Sequence, residues 1–341
     1  MPERSLLGNL RVRIGRAVMD TAWTGIAQAG HLPAARPARH GVERISVVAY
    51  TASGLQELTL DVYRPLKNAE GRPRPVVLYL HGGGFRILSK DTHWLMSLAF
   101  ARRGYVVFTI NYRLAPKHPF PAAVEDSAAA LLWVARNAPR FCGDPERIVL
   151  AGESAGANLA TTLAIATSYE RPEAWACDLF AANVRPKAVL PACGMLQASD
   201  VARYLPPAYG LRPGKRAAFV QDRLQEVEDS YLPTASRSHP SIDLADPLVV
   251  LEHAGPPTRP LPPFFAGVGT RDILQHDTRR LKDALDTLGV PCEARYYDGG
   301  VHAFHALVWN DNAKAFWRDT FAFLKEHVPA PTPDDAATAA R

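Results

Sequence analysis

Long apolar runs are missing from this chain. No stretch of its 341 residues reaches eighteen consecutive apolar side chains, so no membrane-spanning helix is expected. Cysteine is scarce. Its four copies, Cys142, Cys177, Cys193 and Cys292, form no C-x-x-C pair. That disfavours zinc and redox frameworks and makes a reduced, cytoplasmic chain the simplest expectation, with one disulfide left open. A focused basic face is lacking too. Net charge is only +5, and the basic residues are scattered apart from Arg11, Arg13, Arg16, Arg36 and Arg39, so nucleic acid is not an expected partner. The first fifteen residues lack the apolar core of a signal peptide. They open a stripe of Leu7, Leu10, Ile14 and Val18 at helical spacing, with arginines between. Such a stripe suits a membrane surface, but more often it packs on the protein's own body.

What is present is ordinary for a packed domain: 47% apolar and 21% charged residues. Residues 43–65 read as paired strands, because Leu58, Leu60 and Val62 alternate with polar positions. Residues 76–80, 105–110, 148–151, 188–190 and 264–268 are short unbroken apolar runs, as strands buried on both faces require. Between them lie helical stripes: Val124, Ala128, Leu131, Leu132 and Ala135, then Leu281, Leu285 and Leu288, and last Ala313, Phe316, Trp317, Phe321 and Leu324. This alternation predicts a doubly wound, mostly parallel α/β sheet. Residues 46–194 and 259–328 would form it. Residues 1–45 precede it, residues 195–258 interrupt it with many prolines and tyrosines, and residues 329–341 form a Pro/Ala/Asp-rich tail. An insertion of that length reads as a lid or binding element.

The chemistry starts at Gly152-Glu153-Ser154-Ala155-Gly156, which follows the apolar run 148–151 and opens a helical segment. A sharp strand-to-helix turn leaves no room for side chains two residues either side of the serine, hence the two glycines. The Ser154 hydroxyl is then exposed above a helix N-terminus that favours negative charge. Alone, this motif arises by composition in roughly one chain of this length in ten. A second motif joins it. His81-Gly82-Gly83-Gly84-Phe85 follows the run 76–80, and consecutive glycines let peptide N–H groups face a developing oxyanion. Gly83, Gly84 and Ala155 are the expected donors, with His81 and Gly82 supporting the loop. A phosphate-binding loop would need G-K-[ST], and the chain continues Phe85-Arg86 instead.

A serine nucleophile needs a base, and the base needs an orienting acid. In this architecture they follow the serine in that order, acid first. Asp272 lies just after the run 264–268, at a strand's carboxyl end. His302 lies after the last expected strand, 293–297. Asp298 is the alternative acid and His305 the alternative base. Asp277 reads as helix N-terminal charge or loop support, and His118 and His253 as structural.

These motifs resemble the hormone-sensitive-lipase-like branch of the α/β-hydrolases. The likeness covers about residues 75–325. It adds Asn111-Tyr112-Arg113-Leu114-Ala115-Pro116, residues 118–123, Ala157-Asn158-Leu159-Ala160, Asp272-Ile273-Leu274 with Asp277, and His302-Ala303-Phe304. Two positions depart from it: Glu153, where Asp or Thr is commoner, and Ala157, where glycine is. The resemblance implies an α/β-hydrolase fold with a helical cap built from residues 1–45 and 195–258. It implies carboxylesterase action on short- to medium-chain esters through an acyl-enzyme, with no cofactor or metal. Related esterases are often dimers. Amides, formamides and lactones would use the same machinery. A non-catalytic small-molecule receptor would be expected to have lost part of the Ser154, Asp272 and His302 set.

Overall fold

The computed structural model describes residues 25, 28, 30, 32–55, 57–66, 72–204 and 215–330. The apolar runs become strands of one eight-stranded sheet, ordered β1-β2-β4-β3-β5-β6-β7-β8. β1 (Val42–Ala49) and β2 (Thr59–Pro65) form the antiparallel edge, and β2 is also antiparallel to β4. The remaining pairs, among β3 (Arg74–Leu80), β4 (Val106–Ile110), β5 (Gly143–Glu153), β6 (Ala188–Ala192), β7 (Phe264–Gly269) and β8 (Cys292–Tyr297), are parallel. The described helices are α1 (Trp94–Ala101), α2 (Ala122–Asn137), α3 (Ala155–Ser168), α4 (Ala174–Ala181), α5 (Lys215–Tyr231), α6 (Pro247–His253), α7 (Gln275–Thr287) and α8 (Asp311–His327).

The two-residue period of a strand divides the core into two layers. Val76, Leu78 and Leu80 of β3 enter one layer with Leu131 of α2, Leu159 and Leu163 of α3, and Leu281 and Leu285 of α7. Val77 and Tyr79 enter the other with Met96 and Phe100 of α1 and Phe316, Phe323 and Leu324 of α8. This is the expected doubly wound architecture. From β3 the chain moves to β4 on one side and then crosses to β5 on the other, so the strand order reverses beside β3. Crevices at the carboxyl ends of such strands collect ligands, and the two glycine motifs sit on the ends of β3 and β5.

Three features differ from the sequence reading or extend it. The sheet begins at Val42, which pairs with Pro65, one residue before the expected paired strands, so those strands reach into the segment 1–45 set apart ahead of the sheet. Helices α1 and α4 were not foreseen. In α1, five of eight residues are buried, so no polar stripe marks its period. The insertion holds α5, α6 and short 3-10 turns at Val201–Tyr204, Ser236–Ser238 and Ile242–Ala245. The stripe Leu7, Leu10, Ile14 and Val18 and the tail beyond Ala330 lie outside the described residues. Among the described residues, no helix is long and apolar enough to cross a membrane.

Asp277, in the first turn of α7, fastens the insertion to that helix. Its fully buried carboxylate accepts hydrogen bonds from Leu196 N (2.8 Å), Gln197 N (3.3 Å), Arg203 Nη2 (2.8 Å) and Tyr204 Oη (2.5 Å). Loop support is therefore what it provides. Removing one partner of a buried ion pair costs about 3–5 kcal/mol. Asp277→Asn should lower the unfolding free energy by about that amount, read as a drop in the urea midpoint.

Candidate active site

Ser154 joins β5 to α3 with φ 52° and ψ −115°. A non-glycine residue there carries backbone strain of about 1–3 kcal/mol, held by its surroundings. Ser154 N donates to Ala192 O, and Met195 N donates to Ser154 O. The flanking glycines are dictated by backbone, as the motif predicted. A Cβ on Gly152 would lie 2.4 Å from Gly156 O, and one on Gly156 would lie 2.0 Å from Leu80 O. The first turn of α3 thus rests directly on the carboxyl end of β3.

The H-G-G-G loop leaves that same end. Gly83 and Gly84 have φ of 107° and 57°, conformations that side chains resist. A Cβ on Gly83 would lie 2.1 Å from Ile87 O. Among the described residues, the N–H groups of Gly83, Gly84 and Ala155 have no hydrogen-bond acceptor. The expected donors are therefore unengaged at the ends of two adjacent strands. His81 is buried, stacks on Tyr112 at 4.2 Å, and bonds Gly82 O through Nδ1 at 2.7 Å. Burial, aided by the neighbouring His93 ring, pushes its pKa down to about 3. Neutral His81 holds the loop and carries no charge into the site.

The structure brings Asp272 and His302 together. His302 Nδ1–H donates to Asp272 Oδ2 at 2.8 Å, and Leu274 N donates to Oδ1 at 3.0 Å. Asp272 is buried, whereas the His302 side chain is 46% exposed. Partial withdrawal from water works against a charged imidazole. The charge and hydrogen bond of Asp272, with a contribution from Glu153, outweigh it and raise the His302 pKa. The bond to Asp272 fixes the tautomer and leaves Nε2 free to accept a proton. Neither alternative holds this place. Asp298 accepts from Thr270 Oγ1, and His305 is buried with Nε2 on Glu153 at 2.6 Å.

Cys193, just after β6, was not anticipated. Its Sγ, an Asp272 carboxylate oxygen and a His302 ring nitrogen lie within 4.8 Å of one another. Burial first, then the charges of Asp272 and Glu153, raise the thiol pKa. A protonated thiol beside an already bonded Asp–His pair is a poor metal-ligand set. All four cysteines are free thiols.

A family model of the alpha/beta hydrolase fold matches residues 77–306. The chain belongs to the alpha/beta hydrolase fold family. Carboxylesterase NlhH of Mycobacterium tuberculosis (strain CDC 1551 / Oshkosh) is 44% identical over 112 residues, 33% of this chain and 34% of that protein. The chain thus spans about a third of the length of the curated relatives it matches at that level. An acetyl esterase of Salmonella schwarzengrund (strain CVM19633) is 30% identical over 246 residues, 72% of this chain and 69% of that one. The crystal structure of esterase LipW from Mycobacterium marinum shares the fold, with a TM-score of 0.70 at 24% identity over 92% of this chain and 88% of that one.

Within this alpha/beta hydrolase fold, sequence reasoning overlooked Glu153, His93 and Cys193. Glu153 was visible only as a departure at the position before the serine. His93 and Cys193 carry no motif.

The contact of Gly156 with Leu80 O is backbone on backbone, so no rotamer change relieves it. Gly156→Ala should cost roughly 3 kcal/mol or more, seen as a lowered urea midpoint.

Proposed function

We propose that the protein is a serine carboxylesterase that hydrolyses short- to medium-chain esters through an acyl-enzyme. The observation that carries the reading is the 2.8 Å Asp272–His302 pair, taken with the strained backbone of Ser154 and three peptide N–H groups without acceptors among the described residues. Ser154 attacks the ester carbonyl while His302 Nε2 takes its proton. Asp272 holds the tautomer and stabilises the imidazolium. Gly83, Gly84 and Ala155 donate to the oxyanion, an interaction worth about 3–4 kcal/mol for a single donor. The alcohol leaves with the proton from His302, and water, deprotonated by the same ring, releases the acid. The names of the relatives, carboxylesterase and acetyl esterase, support ester over amide and a short acyl chain.

The cap is part of the same proposal. Residues 1–45 and 195–258 would cover the serine. Contacts of α5 with the loop after His81 support this. Val227 lies so close to Gly84 that an added Cβ would be 2.5 Å from its Cγ2. Tyr231 stacks on Phe85 at 3.7 Å, and Arg86 pairs with Glu226 at 2.5 Å.

Ser154→Ala should abolish turnover of p-nitrophenyl butyrate in a folded protein, and unchanged turnover refutes the assignment. A p-nitrophenyl series should peak at short to medium acyl chains. A matched amide should be cleaved far more slowly, and the reverse order would make this an amidase.

The base works only when neutral, and its pKa is raised. Activity should therefore fall, as pH drops, through a value above the ordinary imidazole one. Asp272→Asn removes the raising charge, so this limb should move to lower pH. The same change should cut kcat by about 10⁴-fold, the loss seen in another Ser-His-Asp hydrolase.

A further inference from the structure

One buried carboxylate beside the nucleophile is used by none of these steps. Glu153 ends β5 and is hidden from solvent. Its Oε1 accepts from His93 Nε2 at 2.9 Å and its Oε2 from His305 Nε2 at 2.6 Å. The three side chains belong to three separate parts of the site. Glu153 precedes Ser154. His93 caps α1 and lies against the H-G-G-G loop, with Gly82 N 3.4 Å from its Nε2. His305 belongs to the 3-10 turn Phe304–Ala306 that follows His302.

The hydrogen-bond directions are fixed by what surrounds each ring. His93 Nδ1 faces Ser89 O at 3.1 Å and Thr92 Oγ1 at 2.9 Å, and that hydroxyl gives its own proton to Ser89 O. His93 therefore meets an oxygen at each ring nitrogen. Its Nε2–H is committed to Glu153, so the approach of Gly82 N is contact and not a bond. His305 Nδ1 is buried with no partner, which leaves Nε2–H to Glu153 as the ring's polar contact. The loop presses on the carboxylate as well: a Cβ on Gly82 would lie 3.0 Å from Glu153 Oε1. Burying an ion is costly. Burial opposes the charge here, yet the two histidines hold the Glu153 pKa well below the usual range.

We propose that Glu153 is a positioning residue, whose two oxygens tie the oxyanion loop, through His93, and the His302 loop, through His305, to the strand end that carries Ser154. The inference rests on the serine-hydrolase reading above. Mere filling of space would need no ion, and an apolar side chain of that volume would serve.

The test is Glu153→Gln, which keeps shape but cannot accept from both rings, because one end of the amide is a donor. Reactivity is read two ways: hydrolysis of p-nitrophenyl butyrate, and the rate of Ser154 labelling by a fluorophosphonate, which needs no choice of ester. The wild type, measured alongside, tests the hydrolase reading by itself, and if it neither labels nor turns over, that reading fails first. Small misplacement of reacting groups costs up to about 100-fold, so kcat and labelling should fall about 10- to 100-fold, with KM little changed. The acid limb of kcat/KM should also move to lower pH. The charged or titratable groups facing His302 are Asp272, Cys193 and Glu153, and the substitution removes one of the two charges that raise its pKa. Those facing Glu153 are His93, His305, His302, Tyr79, Tyr112, His81 and Cys193. The proposal is overturned if kcat and labelling match the wild type. It is also overturned if the loss merely follows a lowered thermal midpoint and the acid limb stays in place. If this variant does not fold, His305→Phe keeps a ring among Phe304, Phe316 and Trp317 and removes the donor. It should lower kcat at constant KM, and a wild-type kcat in that variant would overturn the proposal equally.

Discussion

The close approach of the first turn of α3 to the end of β3 is the constraint on which the site depends. Gly156 lies against Leu80 O with no room for a side chain, and Gly152 lies against Gly156 O. These contacts force the turn between them to be sharp, and Ser154 takes up the strain with a positive φ. The same geometry brings the end of β5 beside the end of β3. Ser154 and the glycine loop are therefore neighbours because two strands are neighbours. The large two-layer core on either side of the sheet holds the turn in its strained form.

Charge is distributed around this turn by burial. His81 is kept neutral, so it adds no cation to the glycine loop proposed to bind the oxyanion. Asp272 keeps an anion on the far side of the His302 ring, where it favours the imidazolium over the neutral base. The Cys193 thiol is held protonated beside them. Glu153 is the one carboxylate next to the serine, and two histidines hold it ionised. The Asp272 and Glu153 carboxylates are thus each bonded to histidine, and the N–H groups of Gly83, Gly84 and Ala155 have no acceptor among the described residues.

Much of this was legible in the sequence because short-range rules dictate it. A strand buried on both faces must be apolar throughout, so β3 to β7 announce themselves as unbroken runs. A turn that forbids Cβ atoms at two positions must spell G-x-S-x-G. Asp272 and His302 were picked out as candidate acid and base from their places after strands. What stayed hidden depends on packing across the chain. Glu153 meets its partners across 60 and 152 residues, and no local pattern encodes such a pairing. His305 looked like a rival base for the same reason: a histidine's role is set by what its ring touches. Helix α1 was missed because burial erased its polar face.

The central claim is covalent chemistry at one side chain. Turnover of p-nitrophenyl butyrate quenched in acid, digested and read by mass spectrometry should yield a butyryl adduct on the peptide that contains Ser154, at the serine itself. An adduct on another residue, or turnover at full rate with Ser154 unmodified at every quench time, would contradict the account.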